Sequence, residues 1–353
     1  MNVFSNSSFD HHEQVSFFAD RETGLRAIVA IHDRTLGPAL GGCRMWPYQD
    51  EQLALQDVLR LSRGMTFKAA LAGVALGGGK SVIIGDARTA KTPQLLHAMG
   101  RAIDALGGRY ITGEDVGTNP DDMREIRTQT RYVTCLREED GGPGDPAPLT
   151  ALGVFSAIRA GVRFASGSDS LDDVHVAVQG VGNVGYRLCA LLRDAGARLT
   201  VCDAHAPSAQ RAAADFGAEV VGEEDIYDVD AMVFSPCALG GVLGEGTIAR
   251  LKARVVGGAA NNQLVDDASG RAMLARGITY LPDYVANGGG LIGCDAEWYG
   301  RGEDKVLERV RGIFATCTEI LERARRDRVP TNEAADAIGR ARIAAARENS
   351  VAG

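Results

Sequence analysis

Two lysines in the first half of the chain are the residues best suited to acid–base chemistry. Only five of the 38 basic residues are lysines; the others are arginines. Lys68 lies in the apolar segment MTFKAALAGVAL, and Lys80 follows three glycines and precedes the apolar run SVIIG. A lysine can release its proton when it is desolvated or placed beside another cation, whereas an arginine cannot. The pattern indicates a general base at Lys80 and a carboxylate-binding cation at Lys68, although on spacing alone two surface lysines over apolar neighbours are an equally good interpretation.

The segment GVALGGGKS around Lys80 is close to the G-x-x-x-x-G-K-[ST] pattern of phosphate-binding loops. That pattern requires glycine at position 74, where this chain has Val74, and it lies between a strand and a helix. Here Lys80 precedes a run typical of a buried strand. The sequence therefore disfavours a nucleoside triphosphate site at this lysine.

A glycine turn in the second half has the pattern of a dinucleotide-binding loop. The predicted strand 174–179 leads through a G-x-G-x-x-G turn into a predicted helix, the turn being Gly180, Val181, Gly182, Asn183, Val184 and Gly185. Such glycines allow a tight turn, the approach of backbone to a pyrophosphate and close helix–strand packing. The next predicted strand ends at Asp203, placed to bind the ribose of NAD and to repel a 2′-phosphate, while His205 weakens that discrimination. The alternative is an unliganded turn with Asp203 as a solvent-facing cap.

The elements that position these residues alternate between strand and helix along the chain. Predicted strands at 25–33, 81–86 and 109–112 alternate with helices in the first half, and the second half repeats the pattern more regularly. Two of the first-half helices are predicted to start at Thr92-Pro93 and Asn119-Pro120. Alternation with helices of this length is typical of a doubly wound α/β sheet. The linker-like run EEDGGPGDPAP (138–148) predicts a boundary between two domains, and the tail from about 303 to 348 reads as two helices broken at Pro330.

The composition excludes several classes of protein. The formal net charge is −8, which argues against a nucleic-acid partner because such proteins need a basic surface. The longest run without a charged residue, 231–244, is too short for a membrane span, and the N-terminus does not have the pattern of a secretory signal. None of the seven cysteines forms C-x-x-C, so reduced thiols in the cytoplasm are expected, without disulfides or a metal. His11 and His12 fall in an N-terminal segment expected to be mobile.

Nine sequence blocks resemble the leucine/valine/phenylalanine dehydrogenases of the Glu/Leu/Phe/Val dehydrogenase superfamily. They occur in the family's order and cover nearly the whole chain: GPALGGCRMWPY (37–48), LSRGMTFKAALAG (61–73), LGGGKSVIIGD (76–86), TGEDVGT (112–118), GDPAPLTALGVF (144–155), GVGNVG (180–185), SPCALGGVL (235–243), GGAANNQL (257–264) and PDYVANGGGLI (282–292). The resemblance implies a two-domain α/β fold with a cleft between a catalytic domain, 1–148, and a Rossmann NAD-binding domain, 149–327. C-terminal helices from about 328 to 353 would complete the catalytic domain, and the chain would form a homo-oligomer.

The resemblance also implies a reaction and a set of site residues. The reaction is the reversible, NAD-dependent oxidative deamination of an apolar L-amino acid to the 2-oxo acid, ammonium and NADH. Lys80 matches the lysine that activates water and Asp115 the acid that handles the amine proton. The residues matching substrate contacts are Lys68, which holds the carboxylate, Leu40, Gly42, Met65, Gly113, Asn262, Leu291 and Cys294. Those matching cofactor contacts are Thr150, Gly180, Val181, Gly182, Asn183, Val184, Gly185, Asp203, Cys237, Ala238 and Asn261.

The preferred side chain depends on two positions in the resemblance. Aliphatic-specific members usually have Ala where this chain has Gly113 and Val where it has Leu291. The absent methyl group at Gly113 predicts room for a ring, which favours a broad or aromatic preference slightly. A strictly branched-chain enzyme is the alternative, because one methylene changes discrimination by only about 1–3 kcal/mol. A non-catalytic NAD or amino-acid sensor with the same fold is a more distant alternative, since a sensor need not keep Lys80.

Overall fold

The computed structural model describes residues 3–142 and 144–351, which divide into two compact units. The first unit comprises the chain up to Asp145 together with Cys294–Arg301 and the residues from Gly339 on. The second unit comprises Pro146–Gly293 and Gly302–Ile338. The sequence had suggested a division at 148/149, with the helices after about 328 belonging to the first part.

The first unit is built on a five-stranded mixed sheet. Its strands are β1 (Gln14–Asp20), β2 (Leu25–Asp33), β3 (Ala39–Trp46), β4 (Gly77–Ile84) and β5 (Tyr110–Glu114), in the order β1-β2-β4-β3-β5. The pairs β3–β4 and β3–β5 are parallel, and the other two pairs are antiparallel. Its first three helices are α1 (Glu51–Ala72), α2 (Pro93–Asp104) and α3 (Pro120–Arg127).

Both faces of this sheet are covered by helices. Apolar residues of α1 pack on one face, against Ile28, Ala30 and Val82. Residues of α2 and α3 pack on the other, against side chains that include Val29, Cys43 and Ile83. Because side chains alternate along a strand, Lys80 lies on the same face as Val82, the α1 face. The helices start where the sequence predicts, since Thr92 caps α2 and Asn119 forms a capping box at α3.

The second unit is built on a six-stranded, all-parallel sheet. Its strands are β6 (His175–Gln179), β7 (Arg198–Cys202), β8 (Glu219–Val220), β9 (Val233–Pro236), β10 (Val255–Val256) and β11 (Thr279–Tyr280), in the order β11-β10-β9-β6-β7-β8. Strand order reverses between β6 and β9, the doubly wound Rossmann topology. The predicted α/β fold class is confirmed.

The remaining helices connect these strands or follow them. They are α4 (Ala147–Ser166), α5 (Asn183–Asp194), α6 (Ala206–Phe216), α7 (Glu245–Arg250), α8 (Asp267–Ala275), α9 (Asp283–Ala286), α10 (Gly289–Tyr299), α11 (Glu303–Arg311), α12 (Ile313–Asp327) and α13 (Thr331–Val351). The tail therefore contains three helices, not two, because a break at Gly312 separates α11 from α12. In the described part of the chain no helix is long and apolar enough to cross a bilayer.

His12 corrects the expectation of a mobile N-terminal segment. Its ring is buried, with Nε2 3.0 Å from the Leu59 carbonyl oxygen and 3.0 Å from Ser62 Oγ, both on α1. The sequence analysis missed this contact because the partners lie some fifty residues away. Burial, reinforced by the nearby His32, lowers the pKa of His12 from 6.5 to about 4.

The lowered pKa of His12 predicts an acid-dependent loss of stability. The unfolded chain binds a proton near pH 6.5 and the folded chain only near pH 4, so stability is complete above pH 6.5 and declines as the pH falls through this window. The full effect is on the order of 3 kcal/mol. His12→Gln should flatten the dependence of Tm on pH between 7 and 4, whereas the exposed neighbour substitution His11→Gln should leave it steep. Equal slopes in the two variants would contradict this assignment.

Candidate active-site residues

The three glycines before Lys80 allow helix α1 to pack directly on strand β4. A Cβ atom at Gly78 would lie 2.1 Å from Thr66 Oγ1 and 2.2 Å from the Thr66 backbone nitrogen. On the opposite face, a Cβ at Gly79 would lie 2.7 Å from the ring of Tyr110. No side chain larger than hydrogen fits at either position without movement. The glycine run is therefore a close-packed strand, beginning at Gly77 and not at the predicted position 81.

Lys80 forms a buried ion pair with Asp115. The distance from Lys80 Nζ to Asp115 Oδ2 is 2.8 Å, and the two side chains are 8% and 19% exposed. The interpretation of Lys80 as a surface lysine is therefore wrong. Burial opposes ionisation of Asp115, but the charges of Lys80 and Arg44 outweigh it and hold the pKa of Asp115 below its ordinary value. Asp115 is thus a carboxylate anion in direct contact with Lys80 Nζ.

Arg44 is a member of this cluster that the sequence analysis did not find. Its Nε donates to the same Asp115 oxygen at 2.9 Å, and its Nη1 donates to Asp57 Oδ2 at 2.8 Å. The hydroxyl of Tyr48 donates to that Asp57 oxygen at 2.7 Å. Burial works against the charge of Arg44, yet the two carboxylates raise the pKa of Arg44 above its ordinary value. A chain with so many arginines gives no local signal for this one, although it lies within the GPALGGCRMWPY block.

Several predicted substrate residues share the sheet face of Lys80. In the parallel registers, Leu40 pairs with Gly78, and Gly42 pairs with Gly113. A Cβ at Gly42 would lie 2.8 Å from Asp115 Cβ, so the bare backbone of Gly42 adjoins the carboxylate. Met65 and Lys68 are half-buried residues of α1, three positions apart and hence neighbours on the helix surface. The first unit thus brings Lys80, Asp115 and Gly42 together and places Lys68 on the helix that covers their face.

Gly113 has a neighbour that alters the expectation of extra room. A Cβ at Gly113 would lie 2.8 Å from Cys135 Sγ, so a sulfur atom fills the space that a methyl group would take. Cys135 Sγ also lies 3.6 Å from Sγ of Cys294, another predicted pocket residue. Leu291 is buried three residues earlier on the same helix, α10. Cys135 was not among the predicted site residues.

The glycine turn of the second unit has the geometry of a dinucleotide-binding loop. Gly180 has a φ of +94°, which favours glycine, and a Cβ at Gly185 would lie 2.0 Å from the Gly180 carbonyl oxygen. At Gly182 a Cβ would meet nothing within 4 Å, so the space over the turn is open. Helix α5 begins at Asn183, and among the described residues no side chain caps it. A positive helix end beside open space fits the pyrophosphate of a dinucleotide.

Asp203 follows β7 and is tied to the same turn. Its Oδ2 accepts a hydrogen bond of 2.8 Å from the Val181 backbone N–H, and its Oδ1 accepts one of 2.8 Å from His205 N–H. These contacts fix the carboxylate at the carboxyl end of β7, next to the β6 turn. This position corresponds to the ribose-binding acid of Rossmann folds.

Replacing Asp203 with alanine should raise KM for NAD⁺ by about tenfold and reduce discrimination against NADP⁺, because it removes a charged acceptor and an anion that repels phosphate. Asp203→Asn keeps the side-chain size and removes only the charge, so it should relax discrimination with a smaller rise in KM. The ratio of kcat/KM for the two cofactors measures the effect, with the exposed substitution Asp194→Ala as control. An unchanged ratio in both Asp203 variants would remove this residue from the cofactor site.

The other predicted cofactor residues lie at two places in the second unit. Ala238 adjoins the glycine turn, since a Cβ at Gly180 would lie 2.7 Å from its Cβ, and Cys237 N–H donates to Gln179 oxygen at 2.7 Å. Asn261 Oδ1 accepts a 2.7 Å hydrogen bond from Asn287, a buried residue that the sequence analysis did not single out. The adjacent Asn262 has a φ of +52°, and its N–H donates to Asp283 Oδ2 at 2.8 Å. Thr150, in the first turn of α4, donates to the Pro146 carbonyl oxygen.

Within residues 3–142 and 144–351, no three or more His, Cys, Asp or Glu side chains lie together as a metal site would require. The seven cysteines are all free thiols.

Comparison with known proteins gives consistent matches over both units. The family model described as "Glu/Leu/Phe/Val dehydrogenase, dimerisation domain" matches residues 11–132, and that described as "Glutamate/Leucine/Phenylalanine/Valine dehydrogenase" matches 208–350. Leucine dehydrogenase of Bacillus subtilis is 48% identical over 343 residues, covering 97% of this chain and 94% of that protein. Phenylalanine dehydrogenase of Caldalkalibacillus thermarum is 46% identical over 341 residues, covering 95% of this chain and 92% of that protein.

A solved structure matches as well. The crystal structure of L-tryptophan dehydrogenase from Nostoc punctiforme superposes with a TM-score of 0.86 at 45% identity, covering 96% of this chain and 97% of that one. Fold, glycine turn and buried lysine–aspartate pair define a Rossmann-type oxidoreductase. The chain belongs to the Glu/Leu/Phe/Val dehydrogenase family, and the resemblance seen in its nine sequence blocks is confirmed.

Proposed function

We propose that this chain catalyses the reversible, NAD-dependent oxidative deamination of apolar L-amino acids. The observation that carries the proposal is the buried pair of Lys80 Nζ and Asp115 Oδ2, 2.8 Å apart. A lysine enclosed in a sheet, with one carboxylate as its partner and bare glycine backbone beside it, is suited to proton transfer at a bound substrate.

The proposed roles follow from charge and position. In the deamination direction, amino acid, NAD⁺ and water give 2-oxo acid, ammonium, NADH and a proton. Lys68 binds the substrate carboxylate, and Asp115 takes the proton that the substrate ammonium must lose before Cα can give up hydride. Lys80, in its amine form, then removes a proton from the water that attacks the imino carbon. Asp115, as an anion between Lys80 and Arg44, keeps the cluster from carrying only positive charge.

The second unit would hold the cofactor. NAD, when bound, supplies the hydride acceptor. Residues Gly180–Gly185 and the amino end of α5 would bind its pyrophosphate, and Asp203 would bind the adenosine ribose and disfavour NADP. Cys237 and Ala238 would line the cofactor beside the turn, and Thr150 and Asn261 would contact its nicotinamide end. Asn262 would contact the substrate.

The proposed substrates carry apolar side chains. The proposed pocket residues are Leu40, Met65, Gly113, Leu291 and Cys294. Relatives of similar identity are named for leucine, phenylalanine and tryptophan, which supports a broad apolar preference for this chain. The absent methyl group at Gly113 no longer argues for an aromatic substrate by itself, because Cys135 Sγ fills that space. A strictly branched-chain preference stays the alternative.

We also propose that the enzyme acts in the cytoplasm as a homo-oligomer. The family description of residues 11–132 as a dimerisation domain supports an oligomer. Seven free thiols support a reducing compartment. A non-catalytic sensor with this fold need not keep the buried lysine–aspartate pair.

The decisive test is NADH formation at 340 nm with each of the twenty L-amino acids at alkaline pH. We expect turnover with Leu, Val, Phe or Trp and little with acidic or basic amino acids. Saturable NADH binding without turnover on any amino acid would instead support the sensor alternative.

A further inference from the structure

Cys135 has a backbone conformation that is unusual for its residue type. Its φ is +65°, a left-handed value that a residue with a Cβ rarely adopts. Glu297 holds it there, since its Oε2 accepts the Cys135 N–H at 2.8 Å and its Oε1 accepts the Leu136 N–H at 3.4 Å. On the other side, Thr134 N–H donates to the Thr112 carbonyl oxygen at 2.8 Å. The surrounding structure therefore imposes the conformation on Cys135 and fixes where its sulfur lies.

The sulfur of Cys135 and a methyl group at position 113 exclude each other. A Cβ at Gly113 would lie 2.8 Å from Cys135 Sγ and 3.3 Å from Thr134 Oγ1. The first distance is well inside van der Waals contact for carbon and sulfur. Gly113 is thus required by Cys135, and not only by the shape of a ligand.

The sulfur also lies on the face of the sheet that carries the proposed base. Gly113 pairs with Gly42 in the β3–β5 register, so the missing Cβ of each points to the same face. On that face a Cβ at Gly42 would lie 2.8 Å from Asp115 Cβ. Cys135 Sγ therefore occupies the Asp115 side of the sheet, and it also lies 3.6 Å from Cys294 Sγ.

We propose that Cys135 is a specificity-determining residue, whose sulfur forms the part of the substrate side-chain pocket that a methyl group at 113 would otherwise form. The inference rests on the proposed function, because Gly113 and Cys294 are pocket residues only if the chain acts on an amino acid side chain. A thioether or thiol sulfur is polarisable and packs well against aromatic rings. Adding or removing one atom of the pocket wall, such as Cys135 Sγ, is expected to change discrimination between substrate side chains by about 10–200-fold.

The proposal is tested by a double-mutant cycle of wild type, Gly113→Ala, Cys135→Gly and the double variant. Cys135→Gly removes the sulfur and relieves the left-handed strain, so the kcat/KM ratio of Trp to Val should rise about tenfold or more. Gly113→Ala alone drives Cys135 out of place and should lower Tm and every activity. The double variant exchanges the sulfur for a methyl group and should recover Tm and activity, with a Trp-to-Val ratio near that of wild type.

Two further variants separate pocket effects from folding effects. Cys135→Ser places a hydroxyl oxygen, which is smaller than sulfur, at the position of Sγ. It should therefore shift the Trp-to-Val ratio less than Cys135→Gly. Cys317→Ala, at a buried position of α12, should lower Tm without changing the ratio. Should Cys135→Gly fail to fold, Cys135→Ala provides the same removal of Sγ.

The outcomes distinguish this inference from the function on which it rests. An active wild type whose Trp-to-Val ratio stays within twofold in Cys135→Gly and Cys135→Ala overturns the role of Cys135 alone. Independent, multiplicative effects of the two substitutions on that ratio do the same. A wild type inactive on all twenty amino acids overturns the proposed function and this inference together.

Discussion

Lys80→Ala should lower kcat for deamination by about 10²–10⁴-fold, the range associated with loss of a general base. The reason is that the amine 2.8 Å from Asp115 is the group proposed to take a proton from the attacking water. Binding of NADH should survive, because every proposed cofactor residue belongs to the second unit. Steady-state turnover and the fluorescence of bound NADH measure the two effects separately.

Two variants sharpen this result. Lys80→Arg keeps a cation beside Asp115 but has no accessible neutral form, so it should be almost as inactive as the alanine variant. Lys91→Ala is the matched control: Lys91 Nζ lies 2.6 Å from Asp122 Oδ2, in an ion pair outside the proposed site whose burial is comparable. It should lower Tm and change kcat by only a few-fold. Wild-type-like turnover in either Lys80 variant would refute the assignment of the base.

The features that the sequence predicted well are encoded locally. The turn Gly180–Gly185 is recognisable because each glycine is required by its local structure. The requirements are a positive φ, open space over the turn and a close contact with the end of the preceding strand. Helix starts at Thr92 and Asn119 are likewise recognisable, since a cap and its partner are three residues apart. Local patterns of this kind need no knowledge of the tertiary structure.

The state of Lys80 could not be predicted in the same way. Its burial depends on strand pairing with β2 and β3 and on the approach of α1 to Gly78. These are contacts between distant parts of the chain, so the local sequence around Lys80 was compatible with both a buried and a surface position. The run of glycines therefore resembled a phosphate-binding loop, although it serves to bring a helix against a strand.

Arg44 and Cys135 were missed for different physical reasons. Arg44 forms ion pairs with two carboxylates, Asp57 and Asp115, that are far from each other in sequence. Cys135 adopts a left-handed φ that its residue type does not favour, so the surrounding sequence does not predict its conformation. Sequence patterns identify residues whose types suit their local structure. Residues whose position is imposed by tertiary contacts can be identified only from the three-dimensional structure.

Asp115→Asn should lower kcat by about 10²–10³-fold and also move the pH dependence of kcat/KM to lower pH. The loss of rate follows from removing the proposed acceptor of the amine proton. The shift follows from charge, because the substitution removes the anion that lies 2.8 Å from Lys80 Nζ and leaves the cluster more positive.

Arg44→Gln should move the pH dependence of kcat/KM in the opposite direction. Arg44 shares Asp115 Oδ2 with Lys80, from a distance of 2.9 Å, and its own charge disfavours a second cation nearby. Without Arg44 the cluster around Asp115 carries less positive charge, so the pH dependence should move to higher pH, with a rate loss of about tenfold. Ionisation of the substrate amine is common to all the variants and cannot produce shifts of opposite sign. Shifts in the same direction, or none, would mean that Asp115 and Arg44 only support the fold and do not control the proton on Lys80.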